Sequence, residues 1–246
     1  MFGYGLDRKT IYTILIVLVI VSLFSMSRAE WLNILLTLPA VIIAITFHEF
    51  AHAWMADKLG DTTPRNQGRL TLNPLSHLDP FGFVLLMFAH VGWGKPVQIN
   101  PNNFTSNKSR GTCEMLVSFA GPAMNFIISI VLMIIYVILE KTASLAFATS
   151  YVGIIIVTLL YLTIIINIGL GVFNLIPLPP LDGEKIFRNI LPYNAQSWLD
   201  RNSQTLYIIF MVLWITGFLG TLVSPIIGVV QKGLYFIVTN LVGFII

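Results

Sequence analysis

Two histidines and a glutamate stand close together as His48-Glu49-Phe50-Ala51-His52, within an otherwise apolar stretch of sequence. A spacing of four residues brings His48 and His52 to one face of a helix, one turn apart, so both imidazoles can reach one metal ion. Glu49 lies beside His48 around the helix, where its carboxylate can take a proton from water at that ion. The H-E-x-x-H pattern therefore predicts a hydrolytic metal centre with Glu49 as catalytic base.

The setting of this pattern argues against a chance match, although so short a pattern does arise by chance in soluble proteins. Ionisable groups inside a membrane-spanning segment are costly, and they are functional candidates by default. Measured from the beginning of the apolar segment near Trp31, His48 lies about 25 Å along a helix axis and His52 about 6 Å further. Because the hydrocarbon core is about 30 Å thick, we expect the pair near one membrane boundary, where water can reach it.

A third metal ligand must come from elsewhere in the chain, because a catalytic zinc site usually has three protein ligands and one open position. The position six residues after His52, where some zinc proteases have a third histidine, is Lys58. The other histidines and carboxylates to consider are His77, His90, Glu114, Glu140, Asp182 and Glu184.

Asp182 is the best placed of these candidates. It follows Pro177-Leu178-Pro179-Pro180-Leu181, which cannot continue a regular helix. Non-helical backbone at membrane depth survives only against protein or a water-filled cavity, so this segment should line a cavity at the depth of the histidines. A solvated Asp-Gly turn explains Asp182 equally well when that residue is taken alone. His77 and His90 are more simply ordinary hydrogen-bonded histidines, and Glu114 a helix cap.

The composition places these residues in a membrane protein. The chain has 246 residues, of which 56% are hydrophobic and only 10% charged, with a mean hydropathy of +0.84. Soluble domains carry about 25% charged residues, so a soluble or disordered chain is excluded. The net charge of +3 is consequently no indication of nucleic-acid binding. The single cysteine, Cys113, excludes an intramolecular disulfide and a multi-cysteine metal site.

Apolar segments of about 20 residues predict an all-α polytopic membrane protein with about six transmembrane helices. The predicted spans are Thr10–Ser27, Trp31–Ala56, Cys113–Leu139, Tyr151–Ile176, Ser203–Leu219 and Pro225–Ile246. We treat residues 1–246 as one membrane-embedded domain, with a catalytic core over about 31–183 and accessory spans at 10–27 and 203–246.

Between the second and third spans, the sequence predicts a short re-entrant or β-hairpin segment. Pro80–Val91 is strongly apolar but too short to cross the membrane. After it, Val97-Gln98-Ile99-Asn100 alternates apolar and polar residues, the pattern of a short strand. Prolines on both sides favour an edge strand.

The basic residues set the predicted orientation. With the N-terminus in the cytoplasm, eleven of the fourteen Lys and Arg residues are cytoplasmic, Arg28 and Lys141 are outside, and Lys232 lies within a span. The positive-inside rule supports this orientation and an even number of spans. The sequence thus predicts a multi-pass protein of the cell membrane with both termini in the cytoplasm.

Four motifs resemble the site-2 protease family of intramembrane zinc metalloproteases. In order, they are H-E-F-A-H from His48, N-P-L-S-H-L-D-P from Asn73, G-P-A-M-N from Gly121, and N-L-I-P-L-P-P-L-D-G from Asn174. The resemblance implies one zinc ion held by His48, His52 and Asp182, with Glu49 as catalytic base. It also implies cleavage of transmembrane substrates near the cytoplasmic face. Family members often read L-D-G-G where this chain has Glu184. The chain resembles a minimal member without a PDZ or CBS domain.

Two asparagines within the spans, Asn125 and Asn174, belong to these motifs. Amides in membrane helices commonly hydrogen-bond neighbouring helices. The resemblance implies instead that they grip the substrate backbone or stabilise a developing oxyanion.

The sequence therefore predicts an intramembrane metalloprotease whose partners are transmembrane proteins and the lipid bilayer, not nucleic acid. A zinc transporter is a weaker alternative, because the polar residues gather at one end of the spans. A catalytically inactive membrane adaptor is the other, although such a protein would be expected to lose Glu49 or a ligand. Substrate identity, the substrate gate and the oligomeric state stay open.

Overall fold

The computed structural model of the chain describes residue 17 and residues 26–80, 82–83 and 94–245. Regular structure in this part is helical, and six of its helices are longer than one turn. They are α1 (Arg28–Lys58), α2 (Arg110–Thr142), α3 (Tyr151–Asn174), α4 (Asp182–Arg188), α5 (Tyr193–Ile215) and α6 (Phe218–Ile245). Single turns of helix occur at Thr63–Asn66, Pro74–Ser76, Pro101–Asn103 and Leu145–Ala148.

Four of the described helices, α1, α2, α3 and α6, are long and apolar enough to cross a membrane. The prediction of an all-α membrane protein is therefore confirmed. The predicted first span, Thr10–Ser27, and the apolar segment Pro80–Val91 lie almost entirely outside the described residues.

Helices α1, α2 and α3 pack against one another and form the centre of the molecule. The packed face of α2 is a stripe of buried residues at intervals of four. They are Cys113, Val117, Gly121, Asn125, Ser129, Met133 and Val137. The facing residues of α1 include several buried alanines, such as Ala40, Ala44 and Ala51. Small residues let membrane helices approach closely, which brings backbone and polar side chains of different helices into contact.

Helix α6 packs on the outside of this group through aliphatic side chains. Val223, Val238 and Val242 join a buried cluster with residues of α2 and α3. The beginning of α6, at Leu219, packs with Leu181 just before α4. Further along, the Tyr235 hydroxyl donates a 2.9 Å hydrogen bond to Glu140 near the end of α2. Helix α6 therefore runs from the end of the bundle that carries α4 to the opposite end.

Helix α5 contains residues 203–215 of the predicted fifth span, Ser203–Leu219, but it is not among the four helices apolar enough to cross. Its first half is polar, and Asp200 forms an ion pair with Arg188 of α4. Its one buried residue, Phe210, packs with Leu181. Both contacts lie around α4, so α5 stays at that end of the bundle. The sequence predicted that the fifth and sixth spans cross the membrane in opposite directions. In the structure, α5 stays near α4 and α6 ends on the side opposite to α4.

Candidate metal centre

Three potential ligand atoms meet where α1 faces the beginning of α4. His48 Nε2 and His52 Nε2 are 3.0 Å apart, and each lies 3.2 Å from Asp182 Oδ2. They form the one group of three or more His, Cys, Asp or Glu residues within the described part of the chain that could hold a metal ion. The structure thus brings together the three residues that the sequence singled out as ligands.

A glycine of α2 makes room for the two imidazoles. A Cβ atom added at Gly121 would stand 2.4 Å from His52 Nε2 and 2.7 Å from His48 Cε1, closer than atoms can approach. The two histidines are 5% and 8% exposed, so they are enclosed between helices α1 and α2. The glycine of the G-P-A-M-N motif is therefore part of the site, because any side chain there would displace the imidazoles.

The far nitrogen of each imidazole is fixed by α2. His52 Nδ1 lies 2.7 Å from the Val117 carbonyl oxygen, an acceptor, so this nitrogen carries the proton and donates. His48 Nδ1 lies 2.7 Å from Asn125 Oδ1. The Asn125 Nδ2 group donates to the Ala44 carbonyl at 3.1 Å, which leaves Oδ1 as the acceptor for His48. In their neutral forms, both histidines therefore direct an unprotonated Nε2 towards Asp182.

This donor set fits a zinc ion. When both imidazoles are neutral, two nitrogen lone pairs and a carboxylate oxygen face one another and repel. A cation between them would make this arrangement favourable. Zinc–nitrogen bonds of about 2.0–2.1 Å imply ligand separations of about 3.3 Å in a tetrahedral site, close to those observed. Histidine ligands in metal sites commonly donate their other N–H to a carbonyl or carboxylate, as here.

Asp182 is held in place by the irregular segment after α3. A Cβ at Gly183 would stand 2.3 Å from the Ile176 carbonyl oxygen, so only glycine permits the close approach of α4 to the end of α3. Leu181 is buried beside Phe210 and anchors the turn. As a metal ligand, Asp182 would bind through its ionised carboxylate.

Glu49 lies half-buried on the turn of α1 that carries His48. Its Oε2 accepts a 2.9 Å hydrogen bond from the Val97 backbone N–H, which ties the loop after Gly94 to α1. A Cβ at Gly94 would stand 3.8 Å from Oε1 of the same carboxylate, so the loop passes close to it. One carboxylate oxygen of Glu49 is thus occupied by the loop.

The predicted strand Val97–Asn100 is not formed as a strand. Instead of pairing with another strand, the Val97 amide donates to Glu49 and the Asn100 amide donates to Asp61 at 2.6 Å. Two amides of this segment therefore bond carboxylates of α1 and the turn that follows it. Nearby, Leu78 and Gly94 form an isolated antiparallel bridge.

The other predicted site residues in the described part of the chain make contacts with different partners. Asn174 donates its amide to the Leu170 carbonyl of its own helix at 3.0 Å. His77 is buried and places Nε2 2.7 Å from the Thr71 carbonyl. Glu140 accepts from Tyr235, and Glu184 lies 4.0 Å from Arg188. Glu114 is not part of the cluster. His90 lies outside the described residues.

One residue of the site was missed by sequence reasoning, namely Asn167 of α3. Its Oδ1 accepts a 2.9 Å hydrogen bond from Asn125 Nδ2, and the residue is fully buried. The available signal was an amide in the middle of a segment that is otherwise almost wholly apolar.

Comparison with known proteins gives a consistent result. The sequence profile described as peptidase family M50 matches residues 36–217. YwhC of Bacillus subtilis (strain 168), named as a candidate zinc metalloprotease, is 37% identical over 176 residues, or 72% of this chain and 78% of that protein. Rip2 of Mycolicibacterium smegmatis, named in the same way, is 30% identical over 190 residues, or 74% and 67% of the two chains. No solved structure matches this chain.

Proposed function

Since this chain belongs to peptidase family M50, the family of the site-2 proteases, we propose that it is an intramembrane zinc metalloprotease. Its substrates are membrane proteins, and it hydrolyses peptide bonds in or near their transmembrane segments. The catalytic base is Glu49, and one zinc ion per chain is held by His48, His52 and Asp182.

The observation that carries this proposal is the convergence of three potential ligand atoms within 3.2 Å of one another, next to a glutamate on the same turn of helix. The metalloprotease names of the relatives support zinc as the ion. An inactive adaptor would have no need of this arrangement. A transporter needs polar ligands along a path through the membrane, whereas the described cluster lies at one end of the bundle.

In the proposed reaction, Glu49 transfers the proton, while Asn125 and the Val117 carbonyl orient the two histidines. A bound zinc ion supplies Lewis acidity, which polarises a substrate carbonyl and makes nearby water more acidic. The Val97 N–H holds Glu49 Oε2, which leaves Oε1 to accept a proton from the attacking water. Glu49 then delivers that proton to the nitrogen of the leaving amine, as a general acid. Asn125 and the Val117 carbonyl keep the two imidazoles oriented throughout.

The proposed cleavage site is close to the cytoplasmic face. His48 lies ten residues before the end of α1, or about 15 Å along the axis. Most Lys and Arg residues in the described part of the chain lie in the loops and helix ends around the site, which supports a cytoplasmic position for that end. Helix α6 runs from the α4 end of the bundle to the opposite end. We therefore propose that the end of α6 lies on the non-cytoplasmic side of the membrane, whereas the sequence predicted a C-terminus in the cytoplasm.

A helical substrate must unwind locally, because its carbonyls are engaged in intrahelical hydrogen bonds. The segment Val97–Asn100 lies beside Glu49 and is a candidate to hold the unwound strand by β-augmentation. Ile99→Pro tests this role, because proline removes a backbone donor without touching the Val97 amide that binds Glu49. If cleavage by Ile99→Pro equals that of the wild type, the segment is no such clamp.

The function is tested by comparing the membrane proteomes of cells that produce the wild-type chain or Glu49→Gln. The glutamine amide of the variant cannot accept the proton from water, so we expect uncut membrane proteins to accumulate, with cleavage falling by about 10²-fold or more. Each accumulated protein is then tested with the two purified enzymes. If wild type and Glu49→Gln give the same membrane proteins and the same rates, the chain is not a protease. Unaltered zinc content in Glu49→Gln shows that the variant keeps its site.

A further inference from the structure

A chain of buried side-chain amides lies behind the metal centre, on the side of His48 away from Asp182. His48 Nδ1 is 2.7 Å from Asn125 Oδ1, and Asn125 Nδ2 donates to Asn167 Oδ1 at 2.9 Å. Asn167 Nδ2 in turn donates to the Thr163 carbonyl at 2.8 Å. Asn125 and Asn167 both have no exposed surface. The chain therefore links helices α1, α2 and α3 through three consecutive hydrogen bonds.

The direction of every bond in this chain is fixed by a backbone carbonyl. Because the Thr163 carbonyl can only accept, Asn167 turns its Nδ2 to that carbonyl and its Oδ1 to Asn125. The two N–H groups of Asn125 are then used by Asn167 and by the Ala44 carbonyl. Its Oδ1 faces His48, whose Nδ1 must be the donor.

The Asn125 amide is oriented by two acceptors, the Ala44 carbonyl and Asn167 Oδ1. Without Asn167, the Ala44 carbonyl would be the acceptor that is left. That carbonyl is four residues before His48 and so also accepts the helical N–H of His48 in α1. Without Asn167, one buried N–H of Asn125 loses its acceptor, and unsatisfied polar groups in a dry interior are unfavourable. Turning the Asn125 amide so that Nδ2 faces His48 then becomes less unfavourable, and that orientation favours the other imidazole tautomer.

We infer that Asn167 is a positioning residue. It orients the Asn125 amide, and thereby keeps the Nε2 lone pair of His48 directed at Asp182 and the metal ion. The inference rests on the proposed metal site, because it assigns the outer support of one ligand. Asn167 acts through Asn125 and His48, without contact with substrate.

The test is zinc affinity of the detergent-purified full chain, measured by competition with a chelating dye. Asn167→Leu keeps the approximate volume and removes the acceptor, and we expect the affinity to fall by about tenfold or more, as for other outer supports of metal ligands. Asn167→Asp keeps an acceptor oxygen and should restore most of the affinity. Asn167→Ala is the second variant in case leucine prevents folding, and the same loss is expected.

Thr163→Val is the matched control for the loss of a buried polar group in α3. The Thr163 hydroxyl donates to the Leu159 carbonyl of its own helix at 2.7 Å, outside the chain of amides. Valine removes this hydroxyl and keeps the Thr163 backbone carbonyl that accepts from Asn167. We expect wild-type affinity for this variant. A loss equal to that of Asn167→Leu would overturn the inference, because general disturbance of α3 would explain both.

Two further readouts separate positioning from a merely structural role. In an Asn125→Ala background, Asn167→Leu should have little further effect on zinc affinity, because the link is already broken. Nitrogen-15 spectra of labelled histidine in zinc-free protein should show one His48 tautomer in the wild type, with the proton on Nδ1, and a mixture in Asn167→Leu.

The outcomes distinguish this inference from the proposed function. Zinc binding by Asn167→Leu equal to that of a zinc-binding wild type overturns the inference alone. Equal losses from Asn167→Leu with and without Asn125 also overturn it. A wild-type chain that binds no zinc overturns the metalloprotease proposal, and this inference falls with it.

Discussion

Helices α1, α2 and α3 meet around His48 and His52 through glycine, alanine and buried amides, whereas α6 meets α2 and α3 through valines. In the first region, the contacts are directional. His52 points to one carbonyl, and His48 to one amide oxygen. In the second, non-directional apolar contact holds the helix, and most side chains of α6 are exposed to the surroundings.

This difference separates the part of the chain that needs specific residues from the part that needs only apolar ones. Hydrogen bonds between buried groups fix orientation because leaving one unmade is unfavourable by about 1–3 kcal/mol. Aliphatic contacts tolerate exchange when volume and pattern are kept. Substitutions of the same chemical type should therefore have very different effects in the two regions.

The largest effect is expected for Gly121→Ala. Alanine favours a helix over glycine by up to about 1 kcal/mol, so propensity alone predicts stabilisation. The added Cβ would stand 2.4 Å from His52 Nε2, however, and the imidazole must move. Because a displacement of about 1 Å in a catalytic site can reduce the rate about 10²-fold, we expect cleavage to fall by about that factor. Zinc affinity should fall too, because His52 Nε2 is a proposed ligand. Zinc titration and cleavage assays measure this. Wild-type values would show that α1 and α2 pack less closely than described.

A smaller effect, on stability, is expected for Asp61→Asn. Asp61 holds the loop that contains Val97 and Asn100 through hydrogen bonds, next to Glu49. Asp61 is buried and accepts hydrogen bonds from the Thr63 amide and hydroxyl, the Asn100 amide and the Asn103 side chain. Burial raises the pKa of its carboxyl, but these hydrogen bonds outweigh burial and leave the pKa below its usual value. Asp61→Asn should destabilise the protein by about 1–3 kcal/mol at neutral pH, because an amide N–H replaces an acceptor.

The pH dependence of this effect follows from the lowered pKa. A carboxyl whose pKa is lower in the folded state stabilises the fold above its unfolded pKa of about 3.9. This contribution is lost as the pH falls through the folded-state value. The melting temperatures of wild type and Asp61→Asn should therefore converge below about pH 4. A constant difference from pH 6 to pH 3 would contradict the account of Asp61.

The smallest effect is expected for Gly228→Ala in α6, the matched control for Gly121→Ala. No atom lies within 4 Å of the position that its Cβ would take. Cleavage and zinc affinity should equal those of the wild type, and stability should stay equal or rise by up to about 1 kcal/mol from helix propensity. A marked loss of activity would mean that α6 contributes to the site, and the contrast between the two regions would fail.

The sequence predicts the helices of the core and the three clustered ligand residues because strong, local signals mark them. The length of the apolar segments predicts helices α1, α2 and α3. The four-residue spacing predicts that His48 and His52 lie on one helix face. The prolines before Asp182 predict a turn at membrane depth. Each of these signals is local in the sequence, and none depends on which helix lies beside which.

The rest depends on packing that one sequence does not reveal. Asn167 becomes part of the site only because α2 brings Asn125 to it, and Gly121 matters only because two imidazoles face it. The apolar pattern also did not predict the position of α5. Ser203–Leu219 is long enough to suggest a span, but α5 begins earlier with polar residues and stays near α4. Because α5 ends near α4, α6 begins there and runs to the opposite end of the bundle.

The three metal ligands are tested most directly by the zinc content of the detergent-purified chain, with wild type, Asp182→Ala and Glu49→Gln prepared side by side. We expect about one zinc per chain in wild type and in Glu49→Gln, since Glu49 is not a proposed ligand. Asp182→Ala should bind markedly less, because only two histidines remain. No zinc in the wild type after reconstitution, or undiminished zinc in Asp182→Ala, would contradict the assignment of His48, His52 and Asp182 as the metal ligands.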